Sequence, residues 1–201
     1  MSKKNWLVKI AVILLGSIIS AYGITLAMYA GFGSATLAVL WQGVSRTTGM
    51  SIGMTSFVVA VVMIVFVWFY DRSQIHIGTI LYLVVYSGFV EIFSGMQRYS
   101  QFVWLNFLIM CIGIALFAFG TGIYASANLG RGSYEALTFS LAGKNGWPVK
   151  IVRMVLDVVM VVAGVLLGGS FGICTVITVL VSGPIIQATV QGMNKFVFRG
   201  K

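Results

Sequence analysis

Charge is what this sequence has least of. Only 8% of its 201 residues are Asp, Glu, Lys or Arg, and just four are acidic, where a soluble domain carries about 25% charge. With 59% hydrophobic residues and a mean hydropathy of +1.01, the chain reads as an integral membrane protein. It has a single histidine and two cysteines, Cys111 and Cys174, both inside apolar runs. That leaves no basis for a His/Cys metal site and favours buried free thiols over a disulfide. There is no Walker loop and no Gly-x-Ser-x-Gly, so no cofactor is expected and the chain is not read as an enzyme. The short alternating segments of an outer-membrane barrel are missing too. Helices are then the remaining way to satisfy the backbone in lipid.

What the chain does have is long apolar runs. Six approach or exceed the roughly 20 residues that cross about 30 Å of hydrocarbon: about 6–29, 52–70, 78–95, 102–126, 148–168 and 172–193. Two more, 34–47 and 132–143, are apolar but short, and suit re-entrant or interfacial helices. The expected fold is all-α, a polytopic helical membrane protein forming a single domain over residues 1–201. The first run follows a basic start from Met1 to Lys9 and imitates a secretory signal. It continues to about Tyr29, past a signal's usual core, and lacks a small-x-small cleavage site, so it is read as the first span.

A formal net charge of +9 would point to nucleic acid in a soluble protein. Here the basic residues cluster at the ends of apolar runs, so they are read as orientation signals facing membrane lipid, and no nucleic-acid partner is expected. With six spans and the amino terminus inside, Lys3, Lys4, Lys9, Arg72, Arg131, Lys144, Lys150, Arg153, Lys195, Arg199 and Lys201 fall inside, against Arg46 and Arg98 outside. An eight-span arrangement would also leave only two outside, Arg72 and Arg131. The rule therefore places both termini in the cytoplasm, while span number rests on the lengths of the two short segments.

An internal repeat is the strongest pattern. At a constant offset of 97, Gly16, Ala21, Gly23, Ala30, Gly33, Leu40 and Gly49 fall on Gly113, Ala118, Gly120, Ala127, Gly130, Leu137 and Gly146. Val58, Val62, Met63 and Val65 continue onto Val155, Val159, Met160 and Val162; after small gaps Thr79 falls on Thr175 and Ser87-Gly88 on Ser182-Gly183. The repeats, about 6–96 and 102–193, each read as span, short helix, span, span. Three crossings per half would insert the second half upside down, an arrangement that recurs in secondary transporters with the solute site near the midplane. If the short helices crossed, the halves would be parallel.

The few polar residues inside apolar runs are the site candidates. Asp157 lies in the middle of the fifth span, where a bare charge costs at least about 2.5 to 3.5 kcal/mol. Arg153 and Lys150 share its stripe one and two turns earlier; the bland reading is an ion pair that merely neutralises Asp157. Gly130-Arg131-Gly132-Ser133 reads as a tight turn with Ser133 as cap, presenting a helix amino terminus that can hold a carboxylate or phosphate. Here too an Arg131–Glu135 pair could simply close the turn. Gln187, with Thr175, Thr178 and Ser182, gives the sixth span a polar face. Gly33, Gly130 and Gly132 are read as structural glycines of the repeated break. Glu91 reads as an interfacial anchor, Asp71 as a loop partner of Arg72, and His76 as a surface residue. The small residues Gly16, Ser20, Gly23 and Ala27 invite close helix packing, and Trp6, Trp68, Tyr70, Tyr99, Trp104 and Trp147 near run ends look like interfacial belts.

The paired Gly-x-Gly breaks before short helices resemble the YczE/YyaS/YitT-type family of bacterial integral membrane proteins along nearly the whole chain. The family's pattern, small-x-Gly-x-Gly-Pro-aromatic-Asp, is met by Gly130-Arg131-Gly132-Ser133-Tyr134-Glu135, with Ser133 in place of Pro and Glu135 in place of Asp. The resemblance implies a bacterial inner-membrane protein of transport or accessory role. Joined to the repeat and the buried charges, it leads to the expectation of a small-solute transporter, with an anionic metabolite as one candidate solute. The site would be near Arg131, Ser133, Glu135, Arg153, Asp157 and Gln187. The alternative is a non-transporting membrane partner of an enzyme, sensor or transport complex, which would use the Gly16–Ala27 face against another protein or a second copy.

Overall fold

The computed structural model describes residues 3–97 and 99–196. Arg98, Arg199 and Lys201, counted above toward orientation, lie outside the described residues, as do the side chains of Lys3 and Lys4. Among the described residues all regular structure is helical. The elements are α1 (Lys3–Tyr29), α2 (Thr36–Thr48), α3 (Ile52–Tyr70), α4 (Ile77–Ser94), α5 (Val103–Ser126), α6 (Ser133–Asn145), α7 (Val149–Leu166) and α8 (Ile173–Phe196), with a 3-10 turn at Arg72–Gln74.

The protein is a polytopic helical membrane protein. Five helices, α1, α3, α4, α5 and α8, are long and apolar enough to cross a membrane by length and composition. The remaining long helix, α7, was expected as a span; it equals α4 in length but carries Lys150, Arg153 and Asp157, which set its composition apart. The short helices α2 and α6 have 13 residues each, about 20 Å at 1.5 Å per residue. They fall well short of a bilayer's hydrocarbon core.

Lipid gives apolar helices no hydrophobic reason to associate, so close packing must do it. The centre is the antiparallel pair α1 and α5, whose backbones nearly touch. A Cβ on Gly16 would sit 2.5 Å from the Tyr124 nitrogen, and one on Gly113 would sit 2.7 Å from the Ala27 nitrogen; Gly23 and Gly120 are as confined. Ser20 Oγ lies 2.9 Å from Thr121 Oγ1 across the seam. The Gly16–Ala27 face is therefore covered by α5, with Ser20 and Ala27 fully buried.

Around this pair α4 packs on α1, α8 on α5, α2 on α7 and α6 on α3. One correspondence is missing: α3 packs along α4, but α7 does not pack along α8. At the α3–α4 seam Glu91 Oε2 accepts from the Gly53 N–H at 2.8 Å. Glu91, read above as an interfacial anchor, thus ties α4 to the start of α3.

The loops before α2 and α6 are fastened by the other half of the chain. Four residues before each short helix a carbonyl accepts an N–H from the start of a distant helix: Phe32 from Cys174, and Leu129 from Gly78, each at 2.9 Å. Each receiving helix also uses a threonine at its own start, Thr79 Oγ1 accepting from the His76 N–H at 3.4 Å and Thr175 Oγ1 from the Gly172 N–H at 3.3 Å. Thr175 donates in turn to the Ser34 carbonyl at 2.5 Å. Gly33 (φ +86°) and Gly130 (φ +127°) make the turns possible. Both are pressed on the partner strand of chain, Gly33 on Gly172 and Gly130 on Thr79 and His76.

The expected Asp71–Arg72 loop pair does not form, because adjacent residues in the tight turn point apart. Asp71 Oδ1 accepts from the Ser73 N–H (3.1 Å) and hydroxyl (2.6 Å), capping the 3-10 turn. Arg72 instead donates to the Trp68 carbonyl at 3.2 Å and lies over the Trp68 ring.

Candidate functional site

Asp157 lies halfway along α7, and both short helices begin beside it. Thr36, the first residue of α2, donates to Asp157 Oδ1 at 2.8 Å. Tyr134, the second residue of α6, donates to the same oxygen at 2.6 Å. From this point the helices leave in opposite directions along α7. α2 ends where Arg46 reaches the Gly168 carbonyl and the Ser170 hydroxyl, just past the end of α7. α6 ends at the turn that leads into the start of α7, with Asn145 Nδ2 donating to the Tyr70 hydroxyl at 3.0 Å.

The two ion pairs weighed from the sequence are not what holds these carboxylates. Tyr134 comes between Arg153 and Asp157: its hydroxyl takes Asp157, and its ring lies under the Arg153 guanidinium at 5.6 Å. Arg131 is exposed and lies over the Phe139 ring at 3.5 Å. The one-turn spacing to Glu135 has no force there, because α6 begins at Ser133 and Arg131 precedes the helix. Glu135 Oε2 instead accepts from the Tyr124 hydroxyl at 3.1 Å, and the same hydroxyl oxygen accepts the Gly132 N–H at 3.1 Å. The Ser133 cap is also corrected. Gly132, with φ −58° and ψ 159°, occupies the cap position, no side chain caps the helix, and Ser133 is already helical.

A cavity of about 670 Å³ opens between the two halves of the chain. Its lining draws on positions 97 apart: Thr36 and Ser133, Leu37 and Tyr134, Ala38 and Glu135, Ser56 and Arg153, Ala60 and Asp157, Ile24 and Thr121. The charged members, Glu135, Lys150, Arg153 and Asp157, all belong to the second half. The first half supplies aromatic wall. Tyr82 stacks on Tyr86 at 5.0 Å and on Tyr124 at 4.0 Å between ring centroids, and Trp41 meets Tyr86 edge-on at 6.0 Å. A second cavity of about 320 Å³ runs between α7 and α8 and is walled by hydrocarbon except at Thr36, Asp157 and Thr175. The two share Thr36, Met154, Asp157, Val179 and Leu180, so they lie side by side along these residues.

Of the residues singled out from sequence, Ser133, Glu135, Arg153 and Asp157 line the cavity, while Arg131 and Gln187 do not. Gln187 is exposed on α8, about 140° round an ideal helix from Ser182, whereas Thr175, Thr178 and Ser182 are buried. Gly33 and Gly130 sit in the crossed loops, and Gly132 faces the site, where a Cβ would lie 2.6 Å from both Glu135 Oε2 and the Tyr124 hydroxyl. Sequence reasoning missed Thr36, Trp41, Tyr82, Tyr86 and Tyr124. The offset of 97 from Ser133 was a signal for Thr36; the aromatic residues had none, since they look like ordinary membrane side chains.

The sequence profile of a family of unknown function, DUF6198, matches residues 7–191. An uncharacterised protein of Haemophilus influenzae is 28% identical over 178 residues, 89% of this chain and 81% of the relative. The uncharacterised membrane protein YczE of Bacillus subtilis is 25% identical over 86% of this chain and 80% of its own. The uncharacterised protein YyaS of the same organism is 22% identical over 86% of this chain and 88% of its own. No solved structure matches. These relatives support the YczE/YyaS-type placement drawn from the glycine breaks, and with the family profile covering α1 to most of α8, the chain belongs to the DUF6198 family.

Proposed function

We propose that the protein is a small-solute carrier of a bacterial inner membrane, built from two inverted repeats of three spans each, with its solute site in the central cavity. The observation that carries this reading is the meeting of α2 and α6 at Asp157. Two short helices begin beside the middle of α7, one from each half of the chain, and point their amino termini into a shared cavity. That is the construction by which discontinuous helices form solute sites in secondary transporters. The crossed bonds from Cys174 to Phe32 and from Gly78 to Leu129 support the inverted repeat, since each half supplies the same bond to the other. In this reading α7 is the sixth span, its charged stripe turned to the cavity, and the excess of Lys and Arg places both termini in the cytoplasm. The alternative of a non-transporting accessory subunit relied on the Gly16–Ala27 face for its partner, a face that α5 occupies.

The test is uptake by proteoliposomes of a panel of radiolabelled organic acids, amines and zwitterions. Asp157→Asn keeps the shape and an acceptor for Thr36 and Tyr134 while removing the charge. Saturable uptake of at least one solute, lowered at least about tenfold by the substitution, is expected. Uptake that survives Asp157→Asn unchanged removes Asp157 from the mechanism, and a panel without saturable uptake counts against the carrier.

A further inference from the structure

The central cavity is lined by donors that have no partner. The first three N–H groups of α2 (Thr36, Leu37, Ala38) and of α6 (Ser133, Tyr134, Glu135) have no protein acceptor among the described residues, and neither helix has a side-chain cap. All six residues line the cavity. By contrast α3 is served by Ser51 and Glu91. A second observation is independent of the helix ends. Trp41 is 3% exposed and Ser87 4%, both line the same cavity, and Trp41 Nε1 and Ser87 Oγ have no hydrogen-bond partner. An indole N–H can only donate, and a buried donor left alone is costly. Each carboxylate of the wall holds hydroxyl donors on one oxygen only, Asp157 Oδ1 and Glu135 Oε2, and the two are matched in charge by Lys150 and Arg153. Paired helix amino termini add positive potential. The donors left over, six backbone N–H groups and the Trp41 indole, call for an acceptor-rich group on the ligand.

The second cavity says what is attached to that group. The α3–α4 seam is closed, but the corresponding α7–α8 seam is open, and its banks are apolar, with Val158 and Val162 facing Val176 and Leu180. The groove borders the central cavity along Thr36, Met154 and Asp157, so an elongated molecule passing these side chains would occupy both.

We propose that the ligand of this site is a single-chain amphiphile with an acidic head, drawn sideways from the bilayer. The carboxylate or phosphate head docks on the starts of α2 and α6 with Trp41 Nε1 and Arg153, and the hydrocarbon chain lies between α7 and α8. This deepens the carrier reading and rests on it for the position of the site.

The experiment is photolabelling of the full-length protein in liposomes with a long-chain fatty acid carrying a diazirine in its chain, followed by peptide mapping. Saturable labelling of the α7 and α8 segments lining the groove is expected, competed by unlabelled long-chain acid but not by its methyl ester or by a short-chain acid. Trp41→Phe, which removes the indole N–H, and Ser87→Ala should each weaken competition about fivefold, the worth of one hydrogen bond. Val158→Trp, at an exposed groove position, should abolish the saturable component while the protein remains monodisperse. Equal competition by the methyl ester, or by the short-chain acid, overturns the proposal, as does labelling unmoved by Val158→Trp. A change of oligomeric state with Val158→Trp, without loss of labelling, also overturns it and assigns the groove to a second copy. Binding as expected without flux would retire the carrier and leave this ligand class standing; flux of water-soluble solutes without such labelling would do the reverse.

Discussion

Tyr134 donates its hydroxyl to Asp157 and carries Arg153 on its ring, so one side chain separates charges that lie a single turn apart. A hydrogen bond to a charged group contributes roughly 1.5 to 3 kcal/mol. Tyr134→Phe should therefore lower stability by about that amount in a thermal melt of the purified protein. In an Asp157→Asn background the loss should shrink, because the acceptor is then neutral; equal losses in both backgrounds would mean that Tyr134 stabilises by packing alone. At this scale the sequence was legible where cost was involved. A carboxylate in an apolar helix needs partners, and Asp157, Glu135 and Arg153 all line one cavity. The partners were not legible. Sequence spacing suggested Arg153 for Asp157 and Arg131 for Glu135, yet the true partners, Thr36, Tyr134 and Tyr124, come from other helices or lie outside any local spacing rule. The unpartnered Trp41 Nε1 was beyond sequence altogether, because an orphan donor is defined by what the rest of the fold fails to bring to it.

Among the elements, α1 and α5 are the pair on which the others rest. Gly120 has no room for a side chain, its would-be Cβ falling on the backbone of Ser20 and Gly16. Gly120→Leu must push the helices apart, and a destabilisation of about 1 to 3 kcal/mol or more is expected from overpacking; it is read as loss of monodisperse protein on gel filtration. Substitution at Gly183, which has nothing within reach, should be tolerated. The turn after α3 carries a pH signature. Asp71 is held below its ordinary value of 3.8, chiefly by the Ser73 hydroxyl, with burial opposing and Gln74 assisting. A depressed carboxyl stabilises above its unfolded value, and the contribution is lost as pH falls through the lower folded value. Protection of this turn from proteolysis should therefore decline from about pH 4 downward and be insensitive to pH in Asp71→Asn. Helix positions were legible because apolar runs and glycine breaks mark them. The start of α6 was misjudged by one residue, because Gly132 takes the cap position that the side chain of Ser133 was expected to fill.

On the scale of the whole molecule, the proposed inversion makes a geometric demand. Thr48 and Asn145 lie 97 apart, at the ends of α2 and α6, and inverted halves put them on opposite faces of the membrane. Single cysteines at these exposed positions, in a background carrying both Cys111→Ala and Cys174→Ala, should react with an impermeant maleimide from opposite sides in intact and inverted vesicles; labelling from one side would make the halves parallel. The parting of α7 from α8 was not legible in the sequence, since both read as ordinary apolar spans. The crossed loops have one more consequence, for the order in which the protein can be made. The loop before α2 emerges early but finds its partners, the Ser170, Cys174 and Thr175 groups, only in the α7–α8 connection and at the start of the last helix. The first half must therefore wait in the membrane with that loop unfastened until the final helix has been synthesised. A chain truncated before α8 should be held by the quality-control machinery as an incomplete clasp, and α8 supplied as a separate polypeptide should be able to close it.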